Sequence, residues 1–200
     1  MRNRALLRAL LGVLVAIPTT VLAHPGFDHA HDLLHGLAHP FTGLDHVLAM
    51  VAVGFVAARL GGRALWAVPV SFVATMAVAG AIGMRGIVLP GLETGIALSV
   101  VVLGTLVALR VRLPVSVAAA TVAVFAVFHG YSHGLELGGA RSGIAFGLGF
   151  TAATAMLHLT GIGVGVMTER IGVSFSQRFA RAGGSVMVLA GVVLLAGRLS

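Results

Sequence analysis

The chain contains no cysteine and no lysine among its 200 residues. Without cysteine there are no disulfides, no iron-sulfur clusters and no thiolate sites for soft metals. Any metal must be held by imidazole, carboxylate, thioether or water. Without lysine the GxxxxGK[ST] phosphate loop cannot occur, so the chain does not hydrolyse nucleotide by that route. Charged residues are scarce at 10%, where soluble domains carry about a quarter, while 58% of the chain is hydrophobic and the mean hydropathy is +1.05. That composition is that of a membrane protein. The formal charge of +7 comes from thirteen basic residues, all arginine and spread singly between apolar runs. With no basic patch, nucleic acid is excluded as a partner; the partner is the lipid bilayer, which the arginines orient.

The first 23 residues carry Arg2, Arg4 and Arg8, then the apolar run LLGVLVAI, a proline and Val21-Leu22-Ala23. This is the pattern of a secretory signal peptide cleaved after Ala23, the alternative being a retained first helix. Either way residue 24 emerges outside the cytoplasm. Six further segments, near residues 40–59, 64–84, 89–109, 114–135, 143–166 and 183–199, have about the 20 residues that cross a ~30 Å hydrocarbon core. The expected architecture is all-α: a polytopic membrane protein with a signal peptide (1–23), a His/Asp-rich outer tail (24–39) and one bundle of six transmembrane helices (40–200). With the mature N-terminus outside, the inner loops hold Arg59, Arg63, Arg110, Arg112, Arg170, Arg178 and Arg181, and the outer side only Arg85, Arg141 and Arg198, as the positive-inside rule requires. The two three-helix halves then run in opposite senses, which permits an inverted repeat, although their sequences do not visibly align.

Against this oily background the polar residues are crowded. Residues 24 to 46, HPGFDHAHDLLHGLAHPFTGLDH, hold six of the nine histidines and three of the six acids. The expected topology puts His39, Asp45 and His46 in the outer half of the first helix. It puts His129, His133 and Glu136 at the outer end of the fourth, and Glu93 about one turn into the third. Ionisable groups near a bilayer centre cost roughly 2.5 to 3.5 kcal/mol each, so their gathering on one side calls for a function. In FHGYSHGLE, residues 128 to 136, the i, i+4, i+7 spacing sets His129, His133 and Glu136 on one helix face. In HPFTGLDH, a helix starting near Pro40 gives His39 and His46, seven apart, a common face. Two such faces enclose a divalent cation. If the signal is removed, the free amine and imidazole of His24 chelate one ion together, and with Asp28 and His29 they make the tail a capture arm; the alternative is a merely solvated His-rich segment.

Other readings of these residues stand beside this one. The paired motifs also suit an internal hydrogen-bond network. His158, in the inner half of the fifth helix, is read equally as a packing residue or as part of an exit path. Met50, Met76, Met84, Met156 and Met167 are read as core fillers. An intramembrane zinc hydrolase, with Glu136 or Asp45 activating a water, is the rival of a different class. Its weakness is that the ligands outnumber a three-ligand catalytic site. Bis-histidine haem binding is weaker still, because carboxylates suit haem's apolar faces poorly.

HPGFDH, HPFTGLDH and FHGYSHGLE resemble the HupE/UreJ family of bacterial membrane proteins, associated with hydrogenase and urease systems and regarded as nickel permeases. The family's HX5DH motif maps onto His39, Asp45 and His46, and its FHGxxHGxE motif onto Phe128, His129, Gly130, His133, Gly134 and Glu136. Glu93 occupies a similar acidic position on the third helix. The resemblance implies a multi-pass protein of the bacterial inner membrane, not an enzyme, that moves Ni2+ or Co2+ from periplasm to cytoplasm. It further implies no permanently bound cofactor and a functional link to hydrogenase or urease assembly proteins. The metal-binding residues expected are His24, Asp28, His29, His39, Asp45, His46, Glu93, His129, His133 and Glu136.

Overall fold

The computed structural model describes residues 33–137 and 143–199. The expected signal peptide and the tail residues His24, Asp28 and His29 lie outside the described residues. Every regular element among the described residues is helical: α1 (Leu33–Ala38), a 3-10 turn (His39–Phe41), α2 (Leu44–Leu60), α3 (Ala64–Gly83), α4 (Leu92–Ala108), α5 (Val115–Leu137), α6 (Gly143–Ile171) and α7 (Val173–Leu199). Helices α3, α5, α6 and α7 are long and apolar enough to cross a membrane, and α1 with α2 forms a fifth candidate bent by 85°. The apolar α4 has 17 residues, about 25 Å at 1.5 Å per residue. Large apolar side chains such as Val78, Leu159 and Val193 are exposed, the arrangement expected of faces turned toward lipid instead of water.

Contrary to what the sequence suggests, the first helix is not continuous from Pro40. The helix that carries His46 begins at Leu44, and His39 belongs to the 3-10 turn before it. Pro40 offers no backbone N–H to a longer helix, and Gly43 is extended at φ −105°, ψ 120°, which breaks the helical path. His39 and His46 therefore do not share a face of one helix; the sharp bend brings them together. Leu33–Ala38, counted with the tail from sequence, form a helix that packs on α6. A Cβ on Gly36 would fall 2.1 Å from the Phe146 carbonyl oxygen, and one on Gly149 2.2 Å from that of Leu33.

The main helix pairings skip neighbours: α2 packs chiefly on α6, α3 on α5 and α4 on α7. Exchanging α2 with α5, α3 with α6 and α4 with α7 leaves these three pairings unchanged, the pattern an inverted repeat would produce, although the lesser contacts do not follow it. Glycines set the close approaches, since helices lacking a driving force from water associate through backbone contact. The space for a Cβ on Gly54 of α2 is filled by the His158 carbonyl oxygen of α6 at 2.0 Å, and that on Gly130 of α5 by the Met76 oxygen of α3 at 2.1 Å. Helices α6 and α7 are joined through Gly172 alone, at φ 144°, a conformation side chains oppose. Arg178 and Arg181, expected in an inner loop, thus lie on the first turns of α7.

The two ends of the bundle carry different chemistry. At one, the starts of α2 and α4 meet the ends of α5 and α7, with Glu93 Oε2 2.6 Å from Arg198 Nη2. At the other, Arg59 donates to the Arg110 carbonyl oxygen (3.0 Å) and Arg110 to Ser176 Oγ (3.1 Å), tying the ends of α2 and α4 to the start of α7.

Candidate metal centre

The carboxylate end of the bundle opens into a cavity of about 230 Å³ lined by His39, Thr42, Asp45, His46, Glu93, Ser132, His133 and Glu136. Three elements supply its histidines and the acids beside them. The 3-10 turn carries His39, the first turn of α2 carries Asp45 and His46, and the last turns of α5 carry His129, His133 and Glu136. The i, i+4, i+7 spacing on α5 aims these last three at α2, as the sequence led one to expect.

At the rim, His39 Nε2, His133 Nδ1 and Glu136 Oε2 form a nearly equilateral triangle. His39 Nε2 and His133 Nδ1 are 3.1 Å apart, His133 Nδ1 and Glu136 Oε2 3.1 Å, and His39 Nε2 and Glu136 Oε2 3.2 Å. Among the described residues this is the group of three suited to hold a metal ion. Glu136 is about half exposed, at 52%, whereas only 11% of the His133 side chain is accessible. One edge of the triangle thus faces the opening.

Behind the triangle the imidazoles continue inward as a chain. His133 Nε2 lies 2.8 Å from His46 Nε2, which lies 3.0 Å from His129 Nδ1. His129, fully buried, reaches Ser99 Oγ of α4 through Nε2 at 2.9 Å. The inner end fixes the hydrogens. The Ser99 hydroxyl donates to the Ile96 carbonyl oxygen at 2.6 Å, so its oxygen accepts from His129 Nε2–H. A neutral His129 then accepts at Nδ1 from His46 Nε2–H. His133 Nε2, beside that same hydrogen, is bare, so His133 carries its hydrogen on Nδ1 and donates to Glu136. A cation in the triangle would need bare lone pairs at His39 Nε2 and His133 Nδ1, so the hydrogen on His133 would have to move to Nε2 and that on His46 to Nδ1.

Aromatic rings wall the chain. Phe150 of α6 lies 4.4 Å from His133, 5.7 Å from His46 and 6.0 Å from His39, centroid to centroid, and Phe146 stacks on Phe150 at 6.1 Å. Such a wall keeps water off one side of the imidazoles and limits their rotation.

Two of the acids expected as ligands stand apart from the triangle. Asp45 Oδ1 accepts from the backbone N–H of His46 at 2.8 Å and lies 3.6 Å from His46 Nδ1. It sits at the N-terminus of α2, where the helix dipole favours a negative charge. Glu93 lines the same cavity, but its carboxylate is engaged by Arg198.

A family model described as HupE / UreJ protein matches residues 12–194, nearly the whole chain. The chain belongs to the HupE/UreJ family. Protein HupE of Rhizobium leguminosarum bv. viciae is 49% identical over 183 residues, which cover 92% of this chain and 94% of that protein. No solved structure matches. The two HupE/UreJ motifs quoted above, HPFTGLDH and FHGYSHGLE, supply all of the triangle and of the imidazole chain except Ser99.

The sequence reading passed over three residues of this HupE/UreJ site: Ser99, Phe146 and Phe150. A signal for the last two was present. Phe146, Phe150, Thr154 and His158 recur every four residues along α6, one stripe of a helix face. Ser99 left none, since its role depends on α4 crossing behind α5.

Proposed function

We propose that this HupE/UreJ protein carries Ni2+, or Co2+, inward across the bacterial inner membrane, as a facilitator or secondary transporter that supplies hydrogenase or urease assembly. In this reading a signal peptide (residues 1–23) is removed, the tail (24–39) lies in the periplasm with its helix α1 packed on α6, and six spans follow, with α2 as the first and α4 as a short one. His24, Asp28 and His29 capture the ion, and His39, His133 and Glu136 receive it. His46 and His129 take it further in, while Asp45 and Glu93 make the mouth negative. The ion is cargo, and the chain performs no catalysis and keeps no permanent cofactor.

The observation that carries this reading is the triangle of two nitrogens and one oxygen with edges of 3.1 to 3.2 Å. An ion about 2.1 Å from all three would see donor angles of roughly 95 to 100°. That is nearer the ~90° between neighbouring positions of an octahedron than the ~109° of the tetrahedral sites zinc prefers. Three positions stay open for water or incoming donors, which suits an ion that must leave again. A divalent ion moving inward gains about 4.6 kcal/mol per 100 mV, twice the single-charge value, so no other energy source is required. The hydrolase alternative has less support. Catalysis at the rim needs no further imidazoles behind it, and the chain of His46 and His129 would have no task.

Uptake of radioactive nickel into cells expressing the chain alone, with zinc, copper and cobalt as competitors, tests the reading. Accumulation above that of cells lacking the protein, abolished by His46→Ala or His133→Ala with membrane insertion intact, is the expected result. Undiminished uptake by either variant refutes the assignment.

A further inference from the structure

One histidine stands apart from the chain. His158 of α6 is 1% exposed, and neither ring nitrogen has a hydrogen-bond partner. His46, His129 and His133 are also buried, yet each has a partner within 3.1 Å. A buried donor and acceptor left unmade destabilise a fold relative to an apolar side chain of the same volume. Packing alone therefore gives no reason for an imidazole here.

Its position gives one. The His158 backbone oxygen sits against Gly54 of α2, eight residues beyond His46, so His158 lies about 12 Å deeper along that helix at 1.5 Å per residue. Phe72 of α3, fully buried, stands between the two levels. Its ring centroid is 5.8 Å from that of His129 and 5.2 Å from that of His158, edge to face with the latter at 88°. The polar groups thus form two stations divided by one aromatic ring. A single apolar constriction of this kind closes a path to water while leaving a short step for an ion handed between donors. One turn above His158 on the same stripe of α6, buried Thr154 donates its hydroxyl to Met76 Sδ across 3.8 Å.

We propose that His158 is a second, inner binding station for the transported divalent cation and that Phe72 is the barrier between it and His129. This rests on the transport reading given above, and it adds the step that takes the ion past the imidazole chain. The unmade hydrogen bonds of His158 keep its lone pair available to an ion in transit. The absence of a carboxylate among its contacts keeps that binding weak.

The test compares His158→Leu and His158→Asn with the unaltered full-length chain. It uses Ni2+ binding to protein in nanodiscs, thermal unfolding, and nickel uptake into cells. His158→Leu should bind Ni2+ at the mouth within about two-fold of the unaltered protein and unfold at the same or a higher temperature. Its uptake should nonetheless fall on the order of ten-fold or more. His158→Asn, which keeps a lone-pair donor, should retain a measurable fraction of uptake. Undiminished uptake by His158→Leu overturns the inference, as does uptake lost only in step with lowered stability. If neither variant accumulates in the membrane, the ring is needed for packing and the inference also falls. A failure of the transport reading looks different, because the unaltered chain itself would then take up no nickel, and both would be abandoned.

Discussion

Gly54→Ala tests the geometry most directly, because it replaces no ligand side chain. The added Cβ would sit 2.0 Å from the His158 oxygen and 2.8 Å from its carbonyl carbon, against an ordinary contact of 3.4 Å or more. Both opposing atoms are backbone, so no side chain can swing away, and α2 and α6 must part locally by about 1.4 Å. Overpacking of this kind costs about 1 to 3 kcal/mol. The displacement reaches His46 two turns up the same helix, where N···N distances of 2.8 and 3.0 Å leave no slack. Functional constellations tolerate only about 0.5 Å of misplacement, so uptake should fall on the order of ten-fold. The control is Gly163→Ala on α6, where an added Cβ meets nothing within 4 Å; it should be neutral or slightly stabilising. The assay pairs nickel uptake with thermal unfolding in detergent. If Gly54→Ala were as stable and active as Gly163→Ala, the close approach described here would be wrong.

Glu136→Gln removes the one anionic member of the triangle and should weaken Ni2+ binding in nanodiscs by at least about 10- to 100-fold without loss of protein from the membrane; unchanged affinity would remove Glu136 from the site. Arg198→Ala breaks an ion pair whose side chains are 45% and 50% exposed, so unfolding should shift by no more than about 1 kcal/mol. The same change frees the Glu93 carboxylate at the mouth and should lower the nickel concentration for half-maximal uptake. A higher concentration would argue against an electrostatic role for Glu93. Deleting residues 24–31 should raise that concentration without ending transport, as titration of uptake against nickel will show.

Much of the site was legible in the sequence because α5 is a regular helix across its motif. There, His129, His133 and Glu136 converge by periodicity alone, and the structure bears this out. For His39 and His46 the same rule gave proximity for the wrong reason. A seven-residue spacing means a shared face only if the helix is unbroken, and Pro40 with Gly43 breaks it. The spans were placed well where apolar runs were long, as in α3 and α5, and least well at α7. That helix starts at Val173, not near 183, because arginines on its first turns read as a loop. Ser99 and Phe72 were invisible for another reason: their roles come from which helix crosses behind which, and local pattern carries no trace of that.

The non-sequential pairing of helices also bears on how the protein is made. Helix α2 meets its main partner α6 only after on the order of a hundred further residues have left the ribosome, several seconds at about 5 to 20 residues per second. Until then His46 has no wall of Phe150 beside it. A chain cut short before α6 would therefore lack the wall that closes the histidine cluster, so an interrupted synthesis leaves His46 and His133 open on the side that Phe150 would cover.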